Sequence, residues 1–313
     1  MTSWRITYPN PSETEPGRLA GFLVHCSCMS DLQTAPGIIS SKRGQWSILI
    51  HGLLAFSLTG ALALAAGAKS IVRGGYVPSA IVSVPYALAL LLFATLLLLF
   101  ILRVFKSPIV FETLFALTML SGAWFLADIF FSPGLAIAIG SAVILLRFVW
   151  KSVFAANVSL AIGIAGIAAS LASGLSANAV LVLLTVLSFY DIVAVYRTKH
   201  MVRMFRALAS RGALFAFKLT PLTTRALMAS PDSENEGMLL GTGDIALPAM
   251  LAVAALRTGP LYAVAAFAGA MLGFVLMVSL YFTQTRRAPM PALPPIALGS
   301  ILAYLASLFI FSS

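Results

Sequence analysis

The feature that most constrains this chain is a succession of long apolar runs joined by short polar links. They lie at roughly 45–68, 80–102, 109–131, 134–150, 154–175, 177–196, 238–256, 260–282 and 291–311. About 20 apolar residues in a helix cross the ~30 Å hydrocarbon layer of a bilayer. Backbone in lipid must satisfy its own hydrogen bonds, so runs of this length form helices. Hydrophobic residues make up 60% of the chain and charged ones 10%, against about 45–50% and 25% in a soluble domain. No single globular core could hide that excess, and the solvent must be lipid. The pattern predicts an all-α polytopic membrane protein, a bundle of nine transmembrane helices. The 134–150 run is short, and the 238–256 and 291–311 runs contain Gly and Pro breaks.

The charge pattern gives a direction. If residues 1–44 are cytoplasmic and the spans alternate, seventeen of the 20 Lys and Arg fall on the cytoplasmic side. Only Lys69, Arg73 and Arg257 fall outside. The positive-inside rule then predicts a cytoplasmic N-terminus and an extracytoplasmic C-terminus. Helices 1–6 occupy 45–197, a cytoplasmic loop 198–237, and helices 7–9 238–313. Although the net charge is +10, the basic residues are dispersed in links rather than gathered in a patch. The partner this implies is membrane lipid, not nucleic acid. The location expected is the cell membrane, as an integral multi-pass protein.

Residues 1–44 are polar, without periodicity, and punctuated by Pro9, Pro11, Pro16 and Pro36; they read as a flexible tail. An apolar stretch typical of a cleavable signal peptide is missing from the first 30 residues. His25, Cys26 and Cys28 are too few for a closed zinc site, which takes about four ligands, so the cysteines read as free thiols. Within the 198–237 loop, Arg203, Arg206, Arg211 and Lys218 alternate with Leu214, Phe215 and Phe217. This first half reads as a helix on the membrane surface. The second half, with Asp232, Glu234 and Glu236, reads as a flexible connector.

Only ten residues are acidic, and four of them fall within or at the ends of the apolar runs: Glu112, Asp128, Asp191 and Asp244. An aspartate at mid-span costs about 2.5–3.5 kcal/mol on insertion scales and marks a functional site by default. Glu112 and Asp128 lie near opposite ends of their span and read as interfacial. Asp191 lies about six residues before the cytoplasmic end of the sixth span, and Asp244 about six residues into the seventh. At 1.5 Å per residue both sit roughly 9 Å below the surface, so the two acids can meet.

Two close carboxylates cannot both ionise cheaply and share one proton. The ionised member takes a proton from water while the neutral member donates to a carbonyl. Such a pair hydrolyses an amide with neither metal nor cofactor. A serine or cysteine nucleophile would need a histidine base, and no histidine lies deep in a span; His51 reads as interfacial. Gly241-Thr242-Gly243 precedes Asp244, and glycines there permit close backbone packing and easy unwinding. The last span opens with Pro291-Ala292-Leu293-Pro294-Pro295, where prolines remove backbone donors and discourage helix.

Tyr190-Asp191, then Gly241-Thr242-Gly243-Asp244, then Pro291-Ala292-Leu293, in that order, resemble the presenilin and signal peptide peptidase family of intramembrane aspartyl proteases. The resemblance covers about residues 45–313. It implies that Asp191 and Asp244 are the catalytic dyad, and that Pro291, Ala292 and Leu293 shape the active site and position substrate. Tyr190, Gly241 and Gly243 carry over as supporting motif members, with Thr242 in the motif's open place. The implied substrates are transmembrane helices of other proteins, and similarity to the simpler microbial homologues implies no obligatory partner subunit. The surroundings of Asp244 look more like the signal peptide peptidase branch, whereas the charge-derived orientation matches presenilin. The competing reading is a secondary transporter or ion-leak channel using the buried aspartates as a proton or cation relay.

Overall fold

The computed structural model describes residues 42–73, 108–197, 216–229, 237–284 and 290–311, with six helical positions between 85 and 100. The cysteine-bearing tail, most of the 80–102 run and the basic stretch around Arg203, Arg206 and Arg211 lie outside these residues.

In chain order the elements are α1 (Lys42–Val72), α2 (Pro108–Phe130), α3 (Pro133–Val149), α4 (Val153–Ser173) and α5 (Ala177–Tyr196). They are followed by β1 (Ala216–Leu219), α6 (Thr224–Met228), β2 (Met238–Gly241), α7 (Thr242–Ala255), α8 (Pro260–Thr283) and α9 (Leu293–Phe311). Among the described residues six helices are long and apolar enough to cross a membrane: α1, α2, α4, α5, α8 and α9. The molecule is thus a helical membrane protein. α3 and α7 are apolar but shorter.

Local chemistry sets the boundaries. Ser152 and Ser176 each accept the backbone N–H three residues on, capping α4 and α5. Pro133 and Pro260 open α3 and α8, where a missing N–H costs nothing. Gly259 has φ 154° and turns the chain sharply between α7 and α8. Its conformation is one that a residue with a side chain rarely adopts.

Close approach of small residues holds the bundle together, as lipid-embedded packing requires. A side chain at Gly122 or Gly166 would run into the backbone of the facing helix, so α2 and α4 touch along Gly122, Gly163 and Gly166. Ala169, three residues beyond Gly166 on α4, is buried as well. Gly269 and Gly273 of α8 meet Gly299, Pro295 and Ile296 of α9 in the same way. α7 is buried on every side from Ile245 to Ala255 apart from Ala246 and Leu247, which makes it the central helix.

Three local expectations are corrected. Met238–Gly241 is an extended strand rather than the first turn of a helix, and it pairs antiparallel with Ala216–Leu219. Phe217 and Lys218 therefore belong to a strand, not to a surface helix. Pro294 and Pro295 sit inside the first turn of α9 and do not prevent it; first-turn N–H groups have no partner in the helix anyway.

Candidate active site

α5 and α7 bring their acids to the same end of the bundle. Asp191 lies five residues before the end of α5 and is 6% exposed. Asp244 is the third residue of α7, closer to its helix start than the apolar run suggested, because the strand β2 takes up the residues before it. The two carboxylates are near enough for the charge of one to act on the other.

Each acid is held by a backbone donor. Asp244 turns back to accept the N–H of Gly241, the residue that caps α7. This is the returning half of a capping box, in which an acid at the third helical position satisfies the cap's own N–H. A side chain at Gly241 would meet Asp244 Oδ2 at 2.9 Å, so glycine leaves room for the carboxylate. Gly243 differs: a Cβ there would meet nothing within 4 Å. Neither glycine serves helix–helix packing, contrary to the sequence reading. One makes space for the acid and the other borders open space.

Asp191 accepts the backbone N–H of Leu293, the first residue of α9. In Pro291-Ala292-Leu293-Pro294-Pro295 only Ala292 and Leu293 carry an N–H at all, and one of these two is spent on the acid. Pro291 and Leu293 are buried and Ala292 half-buried. The segment thus contributes a donor, although its three prolines have none to give. Thr242 is half-buried beside the acids, while Tyr190 turns outward and is 54% exposed.

The sequence missed two residues near this end. His51 was expected at the interface but is 7% exposed. It lies within hydrogen-bond distance of Asn157, which is 6% exposed and sits among the apolar residues of α4. A lone asparagine in an apolar helix was the available signal, since such residues bond across helices. The opposite end holds Arg257, whose guanidinium donates to the carbonyls of Ala172, Ser173 and Leu175 at the C-terminus of α4. An open cavity of roughly 250 Å³ there is lined by Ser176, Ala177, Asn178, Ala254, Arg257, Thr258 and Tyr304, none of them acidic.

A family model described as signal-peptide peptidase, presenilin aspartyl protease matches residues 47–313. The chain belongs to this family. It is an intramembrane aspartyl protease, a hydrolase whose family acts on transmembrane-helix substrates, and family membership disfavours the transport reading. The protease also shares its fold with a solved presenilin family intramembrane aspartate protease, seen in two crystal forms. One match has a TM-score of 0.61 at 20% identity, covering 84% of this chain and 99% of that one. The other has a TM-score of 0.57 at 22% identity, covering 82% and 96%. A search among curated proteins finds no match.

Proposed function

We propose that Asp191 and Asp244 are the catalytic dyad of an endopeptidase that cuts peptide bonds within transmembrane helices. The observation that carries this reading is that the two carboxylates are near enough to act on each other electrostatically, one held by Gly241 and the other by Leu293. The pair shares a proton. Its ionised member activates a water and its protonated member donates to the scissile carbonyl. No metal or cofactor takes part. Gly241 and Leu293 orient the acids, Pro291 and Ala292 fix the start of α9, and Gly243 and Thr242 border the space the substrate enters. Tyr190 stands at the outer edge of that space.

A substrate helix must first unwind, because its own hydrogen bonds shield the carbonyl to be cut. Among the described residues the outer edge of β2 has no strand partner, and an unwound segment adding to it would run towards Asp244. Entry is lateral, beside α5 and α9. We assign nine spans, the 80–102 run supplying the one between α1 and α2. The charge split supports a cytoplasmic tail, acids at the cytoplasmic end and an extracytoplasmic C-terminus, and we assign the protein to the plasma membrane. The protease works without obligatory partner subunits.

The test uses the purified protein in liposomes with a labelled transmembrane peptide. Cuts inside the apolar segment, blocked by an aspartyl-protease transition-state analogue, are expected. Ion or solute flux that survives the analogue, with no peptide product, would instead restore the transport reading.

A further inference from the structure

The segment from β1 to the end of α6 is strapped along two helices at four points. Lys218 N–H donates to Asn157 Oδ1 at 3.1 Å, and Asn157 Nδ2 donates to the Lys218 carbonyl at 2.9 Å. His51 Nδ1 lies 2.9 Å from the Thr220 carbonyl. Leu222 N–H donates to Ser47 Oγ at 2.6 Å, and Val153 N–H to the Ala229 carbonyl at 3.0 Å. Ser47 and His51 are one turn apart on α1, as Val153 and Asn157 are on α4. β1 is therefore drawn about 6 Å, one turn, below the outer pair of tethers.

Successive residues of a strand turn their backbone groups to opposite edges. Lys218 points away from β2, and Asn157 supplies the donor and acceptor that a third strand would have offered. The remaining Asn157 N–H lies 3.2 Å from His51 Nε2. His51 Nδ1 faces both the Thr220 carbonyl at 2.9 Å and the Thr220 N–H at 3.2 Å: it donates to the carbonyl in the tautomer that lets Asn157 donate to Nε2, and accepts the N–H in the other. The far edge of β1 is thereby closed to strand addition, while that of β2 has no strand partner among the described residues.

We infer that Asn157 and His51 are positioning residues of the protease: they fix the height of β1, hence of the open edge of β2, and so set which substrate bond meets the acids. This rests on the proposed pairing of substrate with β2. Neither side chain touches the acids in the described contacts, and both act through the sheet. An apolar residue at 157 could fill the space, but it would leave the Lys218 N–H and carbonyl and His51 Nε2 without this partner, so the amide is what ties β1 to α4.

The experiment compares Asn157→Leu, His51→Leu and His51→Gln with wild type on the same transmembrane peptide in liposomes. It reads product masses, kcat, KM and binding of a transition-state analogue. Asn157→Leu should bind the analogue within about threefold of wild type, since the acids remain held by Gly241 and Leu293. Its kcat should fall at least about tenfold and its cuts should spread over neighbouring bonds, as expected when a reacting group is misplaced by about 1 Å. Amide exchange across residues 216–220 should quicken. His51→Gln, which keeps a donor and an acceptor, should cut closer to the wild-type bond than His51→Leu. Wild-type cut sites and rates in Asn157→Leu overturn the inference, as does a parallel loss of folding, analogue binding and cleavage. If Asn157→Leu does not fold, identical cut sites in the two His51 variants overturn it. A wild-type protein that cuts no transmembrane peptide counts against the proposed function instead.

Discussion

The two acid-bearing helices are built in opposite ways. α7 has 14 residues, spans about 21 Å at 1.5 Å per residue, and is packed on nearly all sides. α5 has 20 residues, of which only Ala179, Val180, Leu183, Leu184, Asp191 and Ala194 are buried. Asp244 is thus part of the rigid centre. Asp191 rides on a peripheral helix and is tied to the centre through Leu293. Alignment of the pair depends on the seam between α5 and the start of α9, the same seam proposed above for lateral substrate entry.

The contrast can be broken at the start of α9. A Cβ at Gly273 would press on the Pro295 carbonyl and lie 2.7 Å from Ile296 Cα, both backbone atoms that cannot swing aside. Gly273→Ala should shift the first turn of α9 and with it the N–H that holds Asp191. Activity should fall about 10- to 100-fold, the scale of a 1 Å misplacement. Analogue binding and cleavage should fall together, unlike in Asn157→Leu; unchanged cleavage would show that the Leu293 contact is dispensable.

The burial difference makes a second, smaller prediction. Ala252 in α7 is fully buried, and Ala252→Leu should lower stability by about 1–3 kcal/mol through overpacking. Val186→Leu on the exposed face of α5 should change it by about 0.5 kcal/mol or less. Unfolding in one detergent gives both values, and equal losses would contradict the assignment of α7 as the rigid element.

Gly243 gives the smallest effect. Open space faces it, and alanine favours helix over glycine by up to about 1 kcal/mol. Gly243→Ala should leave stability equal or slightly higher, so any drop in cleavage must appear with substrate and not in the thermal melt. A destabilised Gly243→Ala protein would show that the space is filled.

The sequence revealed the acids and the helices more fully than the way they are held. Asp191, Asp244 and the Pro-Ala-Leu segment stood out because charge and proline are costly inside apolar runs, and cost is visible one residue at a time. The strand at Met238–Gly241 did not, since Met-Leu-Leu is as compatible with a buried helix as with a strand. Its partner, Ala216–Leu219, pairs with residues 19 to 25 positions further on, so only tertiary pairing selects the extended form. His51 was read at the interface because its depth along the chain is shallow. Its burial comes from a strap of residues that local pattern cannot place. The prolines after Leu293 were read as helix breakers because propensity describes helix interiors, whereas these two occupy a first turn. Gly241 was read as a packing residue, and the reason it is small lies in the fold-back of Asp244.

The central claim, that the acids on these two unlike helices act as one pair, is tested most directly by single substitutions. Wild type, Asp191→Ala and Asp244→Ala would be compared for cleavage of the labelled transmembrane peptide in liposomes. The account predicts cuts within the apolar segment by wild type and none by either variant, with both variants folded. Cleavage by either variant at the wild-type rate would contradict it.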